Sequence, residues 1–303
     1  MPNPAGISVV IGSYNQCHRL QRVLDGFKAQ ETTASFEVII VDSNSTDGTA
    51  DMVAAHTNVP FHLVFVQRDN PSGKSEARNV GVAHATHDIV LITDADMVPT
   101  PTFIQAHVDA HAQAKTPCCF EGLAYNLGSE DWPPNLDEAT TQVPRKYKGM
   151  NRLDWYYFLT GNVSFPKDVF ELEGGFSLDF KSYGWEDLEL GYRLKKRGIP
   201  LYYLTTAKNI HYHVVSDDEA VERKFNMGQS AQIFLSKHPE LKWFLGLNPL
   251  SVMVRKLLWH QHPLVQGIRA LQGSRLPLIK RFSYWFMGEF NYLSGLLNLP
   301  HKG

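Results

Sequence analysis

Aliphatic runs alternate with helix-periodic stretches through the N-terminal third of the chain, and this alternation restricts the fold more than any single motif. Gly6 to Ser13 predicts a strand, and Leu20, Val23, Leu24 and Phe27 then recur at helical spacing. Phe36 to Asp42 predicts a second strand. Ser45-Thr46-Asp47-Gly48 supplies the cap and turn for a helix from about Thr49 to His56. His62 to Val66 predicts a third strand, Ser75 to Ala85 a helix, and Ile89 to Thr93 a fourth strand. Short links between such elements imply right-handed βαβ units. The expected class is α/β, a Rossmann-like, mainly parallel sheet with helices on both faces.

In an open α/β sheet, ligands bind at the carboxyl ends of the strands, and here those ends are polar. The fourth strand stops at Asp94-Ala95-Asp96. Residues two apart on an extended chain point the same way, so both carboxylates can meet one hard cation, Mg²⁺ or Mn²⁺, that already carries phosphate. The other reading is a solvated turn. Ser13-Tyr14-Asn15 closes the first strand and Asp42-Ser43-Asn44 the second. A carboxylate there can accept from a base imide or a ribose hydroxyl, or it can close an Asx turn on its own backbone. Arg78, on the helix leading into the acidic strand, can grip a phosphate bidentately or pair with Glu76.

Composition narrows the class. Of 303 residues, 43% are hydrophobic and 20% charged, which predicts a globular chain long enough for one large domain and an appendage. The net charge of −2 argues against a dedicated nucleic-acid partner. Cys17, Cys118 and Cys119 have no zinc or C-x-x-C spacing and fit a reduced, cytoplasmic compartment. Ile7 to Ile11 is too short for a signal-peptide core, and no later run reaches spanning length.

Further along, Thr100 to Ala114 predicts a helix and Cys118 to Ala124 a strand; Gly128 to Lys148 reads as an irregular polar flap. Thr160-Gly161-Asn162-Val163-Ser164-Phe165 predicts a short strand before a helix that ends at Gly174-Gly175. In Tyr183-Gly184-Trp185-Glu186-Asp187 the two acids open a helix whose dipole they complement. An aromatic beside two acids can also wall a sugar pocket. Leu201 to Leu204 and Lys208 to Val214 predict two strands, the second carrying His211 and His213 on one face, as core residues or metal ligands.

From Asp217 the composition shifts. A helix from about Glu219 to Lys237 is expected, then a segment rich in Leu, Trp, Phe and Tyr, basic at Arg255, Lys256, Arg269, Arg275, Lys280 and Arg281, with Glu240 and Glu289 its only acids. It reads as helices lying in a membrane interface, as a hairpin packed on the core, or as a dimer contact.

Taken in order, Ser13-Tyr14-Asn15, Val41 to Gly48, Ala77 to Gly81, Asp94-Ala95-Asp96, Gly161-Asn162, Gly174-Gly175-Phe176 and Gly184 to Asp187 resemble a family 2 inverting glycosyltransferase of the GT-A fold, from Ile7 to about His213. The Trp-Glu-Asp segment with its histidine strand is similar to galactosyltransferases and the bacterial chondroitin polymerase. The resemblance implies a catalytic domain over residues 1–216, with a nucleotide-sugar half to about 98 and an acceptor half from 99, and a helical extension over 217–303. It implies a UDP-sugar donor, a glycan or lipid-linked saccharide acceptor, and Mn²⁺ or Mg²⁺. By the same likeness Asp42 contacts uracil or ribose, Arg78 lies near the phosphates, Asp94 contacts ribose or sugar, Asp96 and His211 hold the metal, Asp187 is the base, and Glu186 and Trp185 orient a sugar. Ser13, Tyr14, Asn15, Asn44 and Ala95 complete the donor site, and Gly161, Asn162 and Gly184 the sugar pocket. A nucleotidyltransferase on the same type of sheet, or a silent scaffold acting through its C-terminal surface, are the alternatives. Attachment to the inner face of a membrane is the expectation for the extension.

Overall fold

The computed structural model describes residues 6–69, 73–127, 151–181 and 183–300. The expected flap, Gly128 to Lys148, lies outside them. Strands β1 (Gly6–Ser13), β2 (Ser35–Asp42), β3 (His62–Gln67) and β4 (Ile89–Asp94) pair in the order β3-β2-β1-β4, all parallel. Helices α1 (Cys17–Lys28), α2 (Thr49–Ala55) and α3 (Lys74–His84) connect them. Next come β5 (Met97–Pro99), α4 (Phe103–Gln113), β6 (Cys119–Asn126), β7 (Arg152–Leu153), β8 (Val163–Pro166), α5 (Lys167–Leu172), α6 (Glu186–Lys196) and β9 (Leu201–His211). They extend the sheet as β4-β8-β6-β9-β5, with β7 also on β9. Only β5, β7 and β8 run against the rest, so six of the nine described strands share one direction.

Strand periodicity divides the core between the two faces of the sheet. Val10, Ile39, Val41, Val90 and Ile92 face α3, α5 and α6, through Ala77, Val82, Val169, Phe170, Leu190 and Leu194. Ile7, Val9, Ile11, Val38, Ile40 and Leu91 face α1 and α4, through Leu20, Val23, Leu24, Phe27, Phe103, Ile104 and Val108. Each such side chain contributes about 1.5–3 kcal/mol by leaving water. Helix α3 packs so closely on β1 that a Cβ on Gly81 would lie 2.3 Å from Val10 Cγ1. That contact seats the helix carrying Arg78.

The structure differs from the expected elements in four places. Strands β5 and β7 were not anticipated. The two expected strands at 201–204 and 208–214 are one, β9, whose register against β6 shifts between Leu204 and Lys208, and it ends at His211. The three residues Thr205 to Ala207 form the irregularity, which reads in sequence as a break between strands. The helix expected from Thr100 begins at Phe103, because the Thr100 N–H and hydroxyl are both given to Lys208 O.

The chain divides into two compact units, residues through Leu178 with Glu186–Val214, and Asp179–Trp185 with the chain from Val215 onward. The expected boundary had left residues 179–185 in the first domain. Within the second unit the Trp185 ring packs 5.5 Å from Phe234 and 6.4 Å from Tyr292. This unit holds α7 (Asp217–Lys237), α8 (Pro249–Leu257), α9 (Pro263–Ala270) and α10 (Pro277–Leu296). Ser216 caps α7 by accepting from the Glu219 N–H at 3.2 Å, ahead of three acids in the first turn. Helices α7 and α10 cross where Gly228 and Gly295 leave no room for a side chain: a Cβ would lie 2.1 Å from Tyr292 O at the first and 2.2 Å from Phe225 O at the second. Among the described residues no helix is long and apolar enough to cross a membrane.

Candidate active site

Parallel register brings the polar strand ends into line, with Ser13 opposite Asp42 and Gly12 opposite Asp94. The loops after β1 and β2 are tied together. Asp42 accepts from Ser45 N at 2.8 Å and Ser45 Oγ at 2.6 Å, while Asn15 Oδ1 accepts from Thr46 N at 2.9 Å. Asn15 and Asn44 take the left-handed conformation that Asn tolerates, with φ of 50° and 63°. Asp42 thus bonds its own backbone three residues on, with its carboxylate buried. Tyr14 is exposed, and the buried Ser13 hydroxyl has no hydrogen-bond partner among the described residues.

Arg78 is the centre of the acidic cluster. Its Nη1 donates to Glu186 Oε1 at 2.8 Å and its Nη2 to Asp94 Oδ1 at 3.2 Å, and its side chain is only 5% exposed. Glu76 pairs with Arg68. Arg78 thus meets two carboxylates where the sequence suggested a phosphate. The carboxylates outnumber it, because Asp187 adjoins them at the start of α6. Burial, and then the Glu186 charge, push the Asp187 carboxyl up to about 7 against the pull of Arg78. The remaining oxygen of Glu186, Oε2, is buried with no hydrogen-bond partner among the described residues.

A second pair lies on the β4–β5 connection. Antiparallel pairing sets Met97 against His211, and Tyr212 N donates to Asp96 O at 2.8 Å. His211 Nε2 lies 3.5 Å from Asp96 Oδ2, and its Nδ1 is 2.9 Å from Asn126 Oδ1. An amide oxygen only accepts, so Nδ1 donates to it, and Nε2 faces the carboxylate as a lone pair in the neutral ring and as a donor in the protonated one. Two acceptors facing each other call for a cation or a proton between them. Burial works to raise the proton affinity of Asp96, but the His211 contact prevails, joined by His213 and Lys74, and holds it below the usual range. Among the described residues no three His, Cys, Asp or Glu side chains gather tightly enough to hold a metal alone.

Beneath the site runs a buried polar network that the sequence reading missed. Asn209 Nδ2 and Thr93 Oγ1 both donate to Gly161 O, at 2.7 and 2.9 Å. Asn162 donates to Asn209 Oδ1 at 3.2 Å and to Ala207 O at 3.1 Å, and its Oδ1 accepts from His107 Nε2 at 2.9 Å. Ser164 Oγ then bridges His107 Nδ1 and His111 Nε2, each at 2.8 Å. Burial lowers His107 to about 4 and His111 to about 3, so both are neutral and can alternate donor with acceptor along the chain of bonds. His107 and His111, four apart on a predicted helix, were the available signal.

The model of the family described as Glycosyl transferase family 2 matches residues 8–182, more than half of the chain. The chain is a family 2 glycosyltransferase. It is 30% identical over 263 residues to a validoxylamine A glucosyltransferase of Streptomyces hygroscopicus subsp. jinggangensis, covering 78% of this chain and 61% of that one. It is 27% identical over 223 residues to a hyaluronan synthase of Pasteurella multocida, covering 64% of this chain and 23% of that one. The chain thus spans less than two thirds of the length of these relatives. In fold it is similar to the mannosyltransferase PcManGT of Pyrobaculum calidifontis, solved with GDP-Man and Mn²⁺, at a TM-score of 0.64 and 19% identity over 98% of this chain and 88% of that one. It is likewise similar to residues 1–349 of S. aureus TarS, solved with UDP, at 0.58 and 18% over 97% and 90%. The expected GT-A fold is present, and family membership removes the nucleotidyltransferase alternative.

In this glycosyltransferase the strand-end groups Ser13, Asp42 and Asp94 are brought into one row, and Asp94 shares Arg78 with Glu186. Gly161 joins them, since a Cβ there would lie 3.9 Å from Asp94 Oδ2. Asn162 is not at the surface: it is fully buried and its amide is spent on the network, so it supports Gly161 and cannot touch a sugar. Ala95 is buried and Asn44 exposed. Gly184 and Trp185 fall in the second unit, where the Trp185 Nε1–H is given to Met227 O at 2.9 Å.

Proposed function

We propose that this glycosyltransferase moves a sugar from a UDP-sugar to an acceptor hydroxyl of a glycan, polysaccharide or glycolipid, inverting the anomeric carbon. One observation carries the reading: a carboxyl of raised proton affinity, Asp187, beside an Arg-centred acidic cluster at the carboxyl ends of a nucleotide-binding type of sheet. A general base works best with a pKa near the operating pH. Asp187 takes the proton of the acceptor hydroxyl as its oxygen bonds to the anomeric carbon, and the bond to the departing UDP breaks on the opposite side. Glu186 is held by Arg78 through one oxygen, at the start of the helix that carries Asp187. Arg78 thereby orients Glu186 and Asp94, and its charge offsets some of the repulsion among the three acids.

Asp96 and His211 suit a divalent cation, because the Asn126 contact leaves Nε2 free to coordinate beside a carboxylate oxygen. With two protein ligands, such an ion needs further oxygens from diphosphate and water, as Mg²⁺ and Mn²⁺ accept. When bound, Mn²⁺ or Mg²⁺ supplies positive charge to the leaving diphosphate. The Mn²⁺ found with PcManGT supports a divalent metal here.

UDP release from a panel of UDP-sugars, with Mn²⁺ and oligosaccharide acceptors, tests the reading. Turnover that disappears in Asp187→Asn while UDP affinity persists is expected. Release of UDP from none of the donors, or turnover unchanged in Asp187→Asn, overturns it.

A further inference from the structure

Helix α8 is amphipathic the wrong way round. A surface helix turns its apolar stripe to the core. Here Leu250, Met253, Val254 and Leu257, spaced i, i+3, i+4 and i+7, are 65, 52, 40 and 63% exposed. The residue turned inward is a cation, Arg255. Its guanidinium donates to Ser294 Oγ at 2.8 Å and to Leu258 O at 2.7 Å and lies 4.1 Å over the Phe290 ring.

The first half of α10 repeats the pattern. Ser283, Met287 and Phe290 face inward, while Leu278, Phe282 and Trp285, at i, i+4 and i+7, are 81, 47 and 60% exposed. Trp243, Trp259, Leu264 and Leu276 add exposed apolar area in the same unit. Single exposed apolar residues need no explanation, but two helices with outward stripes do.

We propose that the helical unit binds the surface of an anionic lipid bilayer through these stripes of α8 and α10, lying on the membrane without crossing it. Three observations select lipid. Between Lys242 and Gly288 the chain has no Asp or Glu, and Lys242, Lys256, Arg269, Arg275, Lys280 and Arg281 are all exposed. Three exposed tryptophans and long basic side chains suit the headgroup level, where an indole and a snorkelling cation each have a wet end and an apolar end. Helix α8, of 9 residues, is far below the roughly 20 needed to span, and α10, of 20, is not apolar enough to cross, so burial must be in the plane of the interface. A second copy of the chain is a poorer occupant. In a twofold dimer the same patch faces itself, which would set the six exposed cations of this acid-free segment against their own copies.

Flotation of the full chain with phosphatidylcholine vesicles, with and without phosphatidylglycerol, tests this without any donor or acceptor, so its outcome is independent of the transferase reading. Binding to anionic vesicles, weakened by salt and accompanied by a blue shift of tryptophan emission, is expected. Leu250→Ser with Leu257→Ser should abolish it. Lys280→Gln with Arg281→Gln should lower vesicle affinity about 25-fold, about 5-fold per cation. Circular dichroism checks that each variant is folded; if the serine variant is not, the glutamine variant decides. No binding by the parent overturns the proposal, as does equal binding by the folded variants. So does a lipid-independent dimer that the serine variant dissolves with no vesicle binding by either.

Discussion

Arg78 on α3 donates to Glu186 in the first turn of α6 across 2.8 Å, joining residues 108 apart in the chain. Its second donor group reaches Asp94, so one cation seats acids from two other elements. Removing one partner of a buried pair leaves an uncompensated charge, at a cost of about 3–5 kcal/mol. Arg78→Ala should lose stability of that order in urea unfolding. Arg78→Lys should fall between, because an ammonium keeps the charge but cannot fork to both acids.

Asp187 must be ionised to take a proton. The kcat/KM for the donor–acceptor reaction, which reports the free enzyme, should therefore rise with pH and level off above about 7. Asp187→Asn should lose about 10²- to 10⁴-fold in kcat and the ascending limb with it. In Glu186→Gln the loss should fall more on KM than on kcat. Initial-rate kinetics from acid to alkaline pH check both.

The same carboxyl makes stability depend on pH. Its folded pKa lies above the ordinary Asp value of 3.8, so the native state holds the proton more tightly and folding is favoured below that value. The advantage is lost as pH rises through about 7. Asp187→Asn should consequently melt higher than the parent at alkaline pH and alongside it in acid. Calorimetric scans at the two ends measure the difference, for which about 1 kcal/mol corresponds to roughly 2–4 °C.

Asn126 holds the His211 ring from behind. Such supporting bonds typically change metal affinity by about 10- to 100-fold. Asn126→Ala should weaken Mn²⁺-dependent UDP binding by that order, while Asp96→Ala and His211→Ala should remove it. Titration calorimetry with UDP, with and without Mn²⁺, gives the answer.

Much of this was legible in the sequence, and the reasons differ by element. Strand β1 was expected from Gly6 to Ser13 and is observed there, because a short aliphatic run between turn residues has few other uses. Asp42 and Asp94 were expected at strand ends for the same reason. Strand β5 was not seen: three residues including a proline carry no period, and they are extended only because β9 pairs with them. The partners of Arg78 were hidden by the separation of Glu186 along the chain, and local charge pointed to Glu76 instead. A helical pattern gives the stripe but not the side it faces, which is why α8 could be read from sequence as a hairpin packed on the core.

The helix crossing in the second unit allows a paired test. A Cβ on Gly228 would lie 2.1 Å from Tyr292 O and 2.8 Å from Leu296 N, both backbone atoms that cannot step aside. Gly228→Ala should destabilise by about 1–3 kcal/mol or more. Gly267→Ala, in α9 with nothing near its Cβ, should stabilise by up to about 1 kcal/mol. Denaturation followed by far-ultraviolet circular dichroism separates the two.

The irregularity at Thr205 to Ala207 sets a counting rule for this strand. Beyond it, β9 pairs Asn209 to His211 with Ala124 to Asn126 on one side and with Met97 to Pro99 on the other. Side chains alternate along a strand, so adding or deleting one residue in the irregular segment would turn His211 to the opposite face and away from Asp96, whereas a change of two would restore its aspect. Length variation here is thus governed by parity: odd changes should uncouple His211 from Asn126 and Asp96 together, and even changes should keep the trio in reach.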